Sequence, residues 1–165
     1  MWILGEAWGW DYGTVIHNMT SSGFPASSKE LKSLTKITFW TNNDNNAPLV
    51  RAYQTQSSRG LTITNPGSVN HGNVAQSLDF ETGEYITQMQ MSRRSDLTII
   101  SSIEITTSKG RPLFVGGSSS DRKTFKVPKG WRIAGFYGKA NYYTYVASAY
   151  HYPTPKLEVI YGPVV

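Results

Sequence analysis

The stretch SIEITTSKGRPLFVGG, residues 102–117, sets Ile103 and Ile105 against Glu104 and Thr106, then breaks at Lys109-Gly110 and resumes at Leu113 and Val115. Period-two alternation on both sides of a Lys-Gly turn predicts two antiparallel strands, each with one face in a core. The pattern recurs outward along the chain. In KITFWT, residues 36–41, Ile37 and Phe39 oppose Thr38 and Trp40. In YITQMQMS, residues 85–92, Tyr85, Thr87, Met89 and Met91 share one predicted face, with Ile86, Gln88 and Gln90 on the other. Further strands are predicted over 49–54, 60–64, 75–80, 124–127, 131–137, 143–152 and 157–161. Asn42 to Asn46, Asn65-Pro66-Gly67, Gly116-Gly117 and Pro128-Lys129-Gly130 supply the turns between them. The reading is an antiparallel all-β domain, with sandwich, barrel and prism all open.

Composition bounds the function classes. At 165 residues the chain is one domain with room for a core, and 39% hydrophobic with 13% aromatic residues is too apolar for disorder. Sixteen Lys and Arg against eleven acids give a net charge of +5. The basic residues are scattered along the sequence without a run to track phosphates, which argues against a nucleic-acid partner. The chain has no cysteine, so disulfides, thiolate metal sites and cysteine nucleophiles are excluded. Glu6 interrupts the apolar start a signal peptide would need, and no stretch approaches a membrane span, so localisation stays open. Residues 19–33 lack alternation and read as an irregular surface loop.

Catalytic and metal signatures are missing from the pattern. His17, His71 and His151 have no metal-ligand spacing, and GRPLFVGG, residues 110–117, has no lysine and helix with which to cradle phosphate. The expectation is no enzyme, no metal and no cofactor. By contrast GFYGKANYYTYVASAYHYP, residues 135–153, concentrates six tyrosines beside small residues and contains no acid. Rings with hydroxyls and nearby backbone N–H groups offer what a sugar needs, a flat apolar face for its C–H groups and partners for its hydroxyls. About half of these tyrosines, Tyr150 and Tyr152 among them, are expected to pack inward instead.

Several of these segments together resemble a jacalin-related lectin domain over about residues 34–152. The resemblance lies in Thr107-Ser108-Lys109-Gly110-Arg111, in Phe125-Lys126-Val127-Pro128, in Gly130-Trp131-Arg132-Ile133-Ala134-Gly135-Phe136-Tyr137-Gly138-Lys139, and in Tyr143 to Tyr150. It implies a β-prism of three four-stranded antiparallel sheets filling one domain over 1–165, with a C-terminal extension at about 153–165. It also implies a non-enzymatic carbohydrate-binding role with galactose- or mannose-type glycans, on glycoconjugates such as a glycolipid or glycoprotein receptor, and pairing into dimers or tetramers.

Carried over residue by residue, the family's ligand loop falls on Asn141, Tyr142, Tyr143 and Tyr145. Tyr142-Tyr143 is similar to the galactose-preferring branch. Where the pattern has aspartate this chain has Tyr145, a loss of one charge-assisted hydrogen-bond pair of about 1.5–3 kcal/mol. The family's N-terminal glycine-rich loop corresponds to GEAWGWDYG, with Gly9, Trp10, Asp11 and Tyr12, though its double glycine is absent. Asp11 either replaces the missing carboxylate or caps a turn, as acids in turns more often do. A third loop places Arg94 beside Arg93, as a selector for acidic or sulfated glycans or as a solvated hairpin tip. The alternative function is a sugar-independent β-prism that docks on protein or membrane receptors, as part of a toxin for example.

Overall fold

The computed structural model describes residues 3–9, 14–17, 34–42, 50–58, 62–65, 73–94, 99–117, 121–140 and 156–164, with backbone alone at 3–9, 14–17, 42, 63–65, 73, 94, 99, 137–140 and 156–163. Twelve strands occupy them: β1 (Ile3–Gly9), β2 (Thr14–His17), β3 (Leu34–Asn42), β4 (Val50–Ser57), β5 (Thr62–Asn65), β6 (Asn73–Asp79), β7 (Ile86–Arg94), β8 (Ile99–Thr107), β9 (Pro112–Gly116), β10 (Asp121–Lys126), β11 (Trp131–Ala140) and β12 (Lys156–Pro163). All ladders are antiparallel, as the hairpin-spaced turns predict.

The ladders group by fours, in the orders β5-β4-β3-β6, β9-β8-β7-β10 and β1-β12-β11-β2, and the last two groups touch at the single pairing Ile133↔Ile86. One rule generates all three. Two consecutive strands form the inner pair, and the next two strands in the chain flank them, each on its own side. For β11 and β12 the flanking places are taken by β1 and β2, so the two ends of the described chain close one sheet. This is the three-sided all-β prism that the resemblance implied.

The three sheets bury one shared core. Ile37, Phe39 and Tyr53 come from β3 and β4, Met89, Met91, Ile103, Ile105 and Phe125 from the β7 to β10 sheet, and Ile133 and Phe136 from β11. Phe136 is fully buried where the sheets converge. Its ring meets Phe39 at 6.1 Å and Tyr53 at 5.0 Å, both edge-to-face, and its carbonyl accepts a hydrogen bond from the Tyr53 hydroxyl at 3.4 Å. Such ring pairs add about 0.5–1.5 kcal/mol each beyond the area they bury.

Several sequence expectations are corrected. Ile86 is buried on the same core as Met89 and Met91, although strict alternation put them on opposite faces. The register shifts between Ile86 and Gln88, and this bulge turns Ile86 inward. β1 and β2 went unpredicted because the first dozen residues read as a glycine-rich loop; Gly9 is in fact the last residue of β1. Residues 156–163, where a strand over 157–161 was expected within a C-terminal extension, form β12, an inner strand of the prism that pairs with β11 on one side and β1 on the other. The expected strand at 143–152 and the expected loop at 19–33 lie outside the described residues.

The Thr-Ser-Lys-Gly-Arg segment that carries much of the resemblance is a hairpin turn with a buried ionic lock. Gly110 takes the left-handed conformation, φ 74°, that a three-residue loop with a bulge requires, and Gly110 N–H donates to Thr107 O at 2.9 Å. Arg111 then reaches back to Glu84, which is buried. The Glu84 carboxylate accepts from Arg111 Nε at 2.9 Å, from Arg111 Nη2, from Thr107 Oγ1 at 2.5 Å and from the Glu81 N–H at 2.8 Å. The Arg111 hydrogen bond, aided by those from Thr107 and Glu81, outweighs desolvation and holds the carboxyl at about 2, well below the usual range. The lock ties the turn before β7 to the turn between β8 and β9.

Candidate functional site

The end of the β1-β12-β11-β2 sheet is fixed by backbone pairing. Gly9 is opposite Lys156, Lys156 is opposite Lys139, and Lys139 is opposite Val15; one residue further, Ala140 is opposite Thr14. With strands about 4.8 Å apart, Ala140 and Thr14 are neighbours, and Gly9 is roughly 10 Å from Lys139. From this one row the chain departs into 10–13 and into 141–155. The two loops singled out by sequence therefore leave the same edge of the same sheet. β2 makes the juxtaposition, and the sequence reading missed it; the short apolar run Val15-Ile16 ahead of His17 was the available signal.

Of the candidate residues, Gly9 is placed by its backbone at the head of that row. Trp10, Asp11, Tyr12, Asn141, Tyr142, Tyr143 and Tyr145 lie outside the described residues. Arg94 ends β7 opposite Ile99 in a different sheet, and its side chain is not among those described. Its neighbour Arg93 is engaged by Asp121 on β10, Nε to Oδ2 2.5 Å, so one of the twin arginines is spent on holding two strands together.

Rigid packing supports the row. β11 runs from the core residue Phe136 straight to Ala140, and its inner stretch 132–136 is entirely buried. At its other end a small cleft opens between Leu34, Gly83, Glu84, Tyr85, Ile86, Arg132, Ile133 and Val164. Its volume of about 20 Å³ admits a single water and no sugar ring. Burial pushes the Arg132 guanidinium down to about 10, still protonated at neutral pH. Glu84, ionised and saturated with donors, has no proton to give as a general acid. No group of three potential metal ligands occurs among the described residues, and no described helix is long and apolar enough to cross a membrane.

Comparison with known proteins converges on one family. The model of the jacalin-like lectin domain matches residues 6–149. Jacalin-related lectin 17 of Arabidopsis thaliana is 32% identical over 83 residues, 45% of this chain and 14% of that protein, so the match spans about a seventh of the curated relative's length. Among solved structures, Malaysian banana lectin superposes with a TM-score of 0.68 at 20% identity, covering 98% of both chains. Calystegia sepium agglutinin gives 0.68 at 16% identity over 98% of this chain and 96% of its own. PirB gives 0.73 at 17% identity, with 99% of this chain covered but 38% of that one. With the family model matching most of its length and the prism of three four-stranded sheets in place, the chain belongs to the jacalin-like lectin domain family.

Proposed function

We propose that this lectin domain binds glycans without transforming them, at the edge from which residues 10–13 and 141–155 depart. The observation that supports the reading is the row Gly9, Lys156, Lys139, Val15 with Ala140 opposite Thr14, which sets the residues flanking both segments side by side. In this reading Tyr142 and Tyr143 supply faces for a galactose- or mannose-type ring, Trp10 and Tyr12 are the aromatic residues the other segment offers, and Asp11 is the acid nearest in sequence to replace the carboxylate that Tyr145 does not provide. Without that charge a single site is weak, about −4 kcal/mol or millimolar. Useful avidity then comes from several copies on one assembly, dimeric or tetrameric, engaging a glycoprotein or glycolipid. Calystegia lectin has been solved with a biantennary N-glycan, and branched glycans of that kind suit such a shallow, repeated site.

A glycan array followed by titration calorimetry tests this: neutral galactosides or mannosides bind, and Tyr143→Ala and Trp10→Ala each weaken binding severalfold. Unchanged binding in both variants overturns the assignment of the site. A second reading, a sugar-independent docking module, is favoured by Tyr145 and by the occurrence of this fold as 38% of PirB and 44% of the lamprey immune protein. Flotation on liposomes lacking glycolipid separates it, since a lectin stays in solution there.

A further inference from the structure

Four basic residues, Arg122, Lys123, Lys126 and Lys129, fall on β10 and the turn that follows it. Its alternation is Asp121, Lys123 and Phe125 on the inner side and Arg122, Thr124 and Lys126 on the outer, and the outer three are exposed. Lys129, exposed in the turn that follows, extends the row. Between residues 121 and 130 Asp121 is the single acid, and Arg93 already neutralises it. The register sets Thr124 beside Gln90 and Lys126 beside Gln88, two neutral amides, and Gln90 Nε2 donates to Thr124 Oγ1 at 3.2 Å. Glu104 is one strand further away, opposite Gln90. The outer edge of β10 has no ladder partner among the described residues.

We propose that this edge is a second, charge-driven site, and that its ligand is an anionic polysaccharide. Arg122 and Lys126 are four residues apart on one face, roughly 13 Å along the strand. That spacing exceeds the reach of one sulfate or carboxylate and fits successive charges on a linear polymer. It also exceeds a Debye length of about 8 Å at physiological salt, so the two cations act as separate contacts. The neutral Gln88 and Gln90 side chains alongside can bond sugar hydroxyls between the charges. A single-stranded nucleic acid would look for exposed rings among the cations, but Phe125 is buried, with Lys123 Nζ 5.9 Å from its ring centre. A membrane would look for an apolar wedge, and none of the exposed large apolar side chains falls within 121–130. The site stands on the β7 to β10 sheet and does not depend on the loops of the other sheet.

The test is retention of the purified domain on immobilised heparin, with hyaluronan as the unsulfated arm, across a salt series. The triple variant Arg122→Gln, Lys126→Gln, Lys129→Gln should bind about 10- to 100-fold more weakly at about 0.15 M salt, with a shallower salt slope. A charge-matched control, Lys29→Gln, Lys32→Gln, Lys36→Gln, should stay within about twofold of wild type, and unchanged thermal unfolding certifies both folds. Tyr143→Ala should lose neutral-glycan binding and keep heparin. Binding of either polysaccharide lost selectively in the β10 triple supports the proposal. Equal weakening in both triples, loss of heparin binding in Tyr143→Ala, no binding to either polymer, or tighter binding to single-stranded DNA or phosphatidylserine vesicles overturns it.

Discussion

The sheet β9-β8-β7-β10 and the sheet β1-β12-β11-β2 share one strand order and differ in where their strands come from. The first is drawn from residues 86–126 in sequence order, and its central hairpin is locked by Thr107, Arg111 and Glu84. The second joins residues 3–17 to residues 131–163, so its ladders close over more than a hundred residues. Local pairing closes short loops at little entropic cost, whereas the long closure must be held by burial of the inner strand against a preformed core. The comparison teaches that the sheet with the strongest local chemistry serves as scaffold, and the sheet built from the two ends of the chain presents the candidate ligand edge.

The widest gap between the two sheets should appear on Phe136→Ala. It removes the ring on which β11 leans against Phe39 and Tyr53, and a loss of about 3–5 kcal/mol is expected in urea unfolding. Hydrogen exchange should then rise first in β1, β2 and β12; uniform opening of both sheets would abolish the distinction. Next comes Gly116→Ala, in the locally built sheet. Gly116 has φ 83°, and an added Cβ would lie 2.0 Å from the backbone oxygen of Ser101. Because that oxygen also accepts from Gly117 N–H, it has little freedom to retreat, and about 2–3 kcal/mol of destabilisation is expected.

Arg111→Met sharpens the scaffold side by leaving a buried carboxylate without its cation, and a lower urea midpoint near neutral pH is expected, with a smaller shift than Gly116→Ala because the arginine is partly exposed. The pH dependence has a definite sign. The carboxyl of Glu84 is held at about 2 when folded, below its ordinary value of 4.5, so the lock contributes its full stability above about pH 4.5 and loses it as pH falls towards 2. Wild type should therefore weaken through that window, and Arg111→Met should show a smaller acid loss or none. The smallest effect on stability is expected for Tyr143→Ala, within about 0.5 kcal/mol by thermal unfolding; a large loss would mean its ring is packing and not presented to ligand.

Much of the scaffold was legible because its signals are local. Ile103 and Ile105 alternate cleanly, Lys109-Gly110 marks the turn, and both are where the sequence put them. Ile86 was misread because a single bulge inverts the face of every residue before it, and no propensity marks a bulge at Thr87. β1 and β2 were obscured for a different reason, and β12, expected as a strand over 157–161, gave no sign of which strands it would join. Their partners lie at the far end of the chain, and short strands such as Thr14–His17 carry too few residues for period two to stand out. The same non-locality hid the common departure row of the two loops, although their residue types were readable as sugar-binding chemistry. The grouping of Arg122, Lys126 and Lys129 was readable in the sequence, but that they follow an edge strand was not.

The central claim is that a sugar is held at the edge where Gly9, Lys156, Lys139 and Thr14 meet. The most direct measurement is a titration of the isotopically labelled domain with methyl galactoside and methyl mannoside, followed through backbone amide chemical shifts. The account predicts saturable shifts at Gly9, Thr14, Lys139, Ala140 and Lys156, with the Thr107–Arg111 turn unmoved. Shifts centred on that turn or on the cleft beside Arg132, with the departure row unmoved, would contradict it.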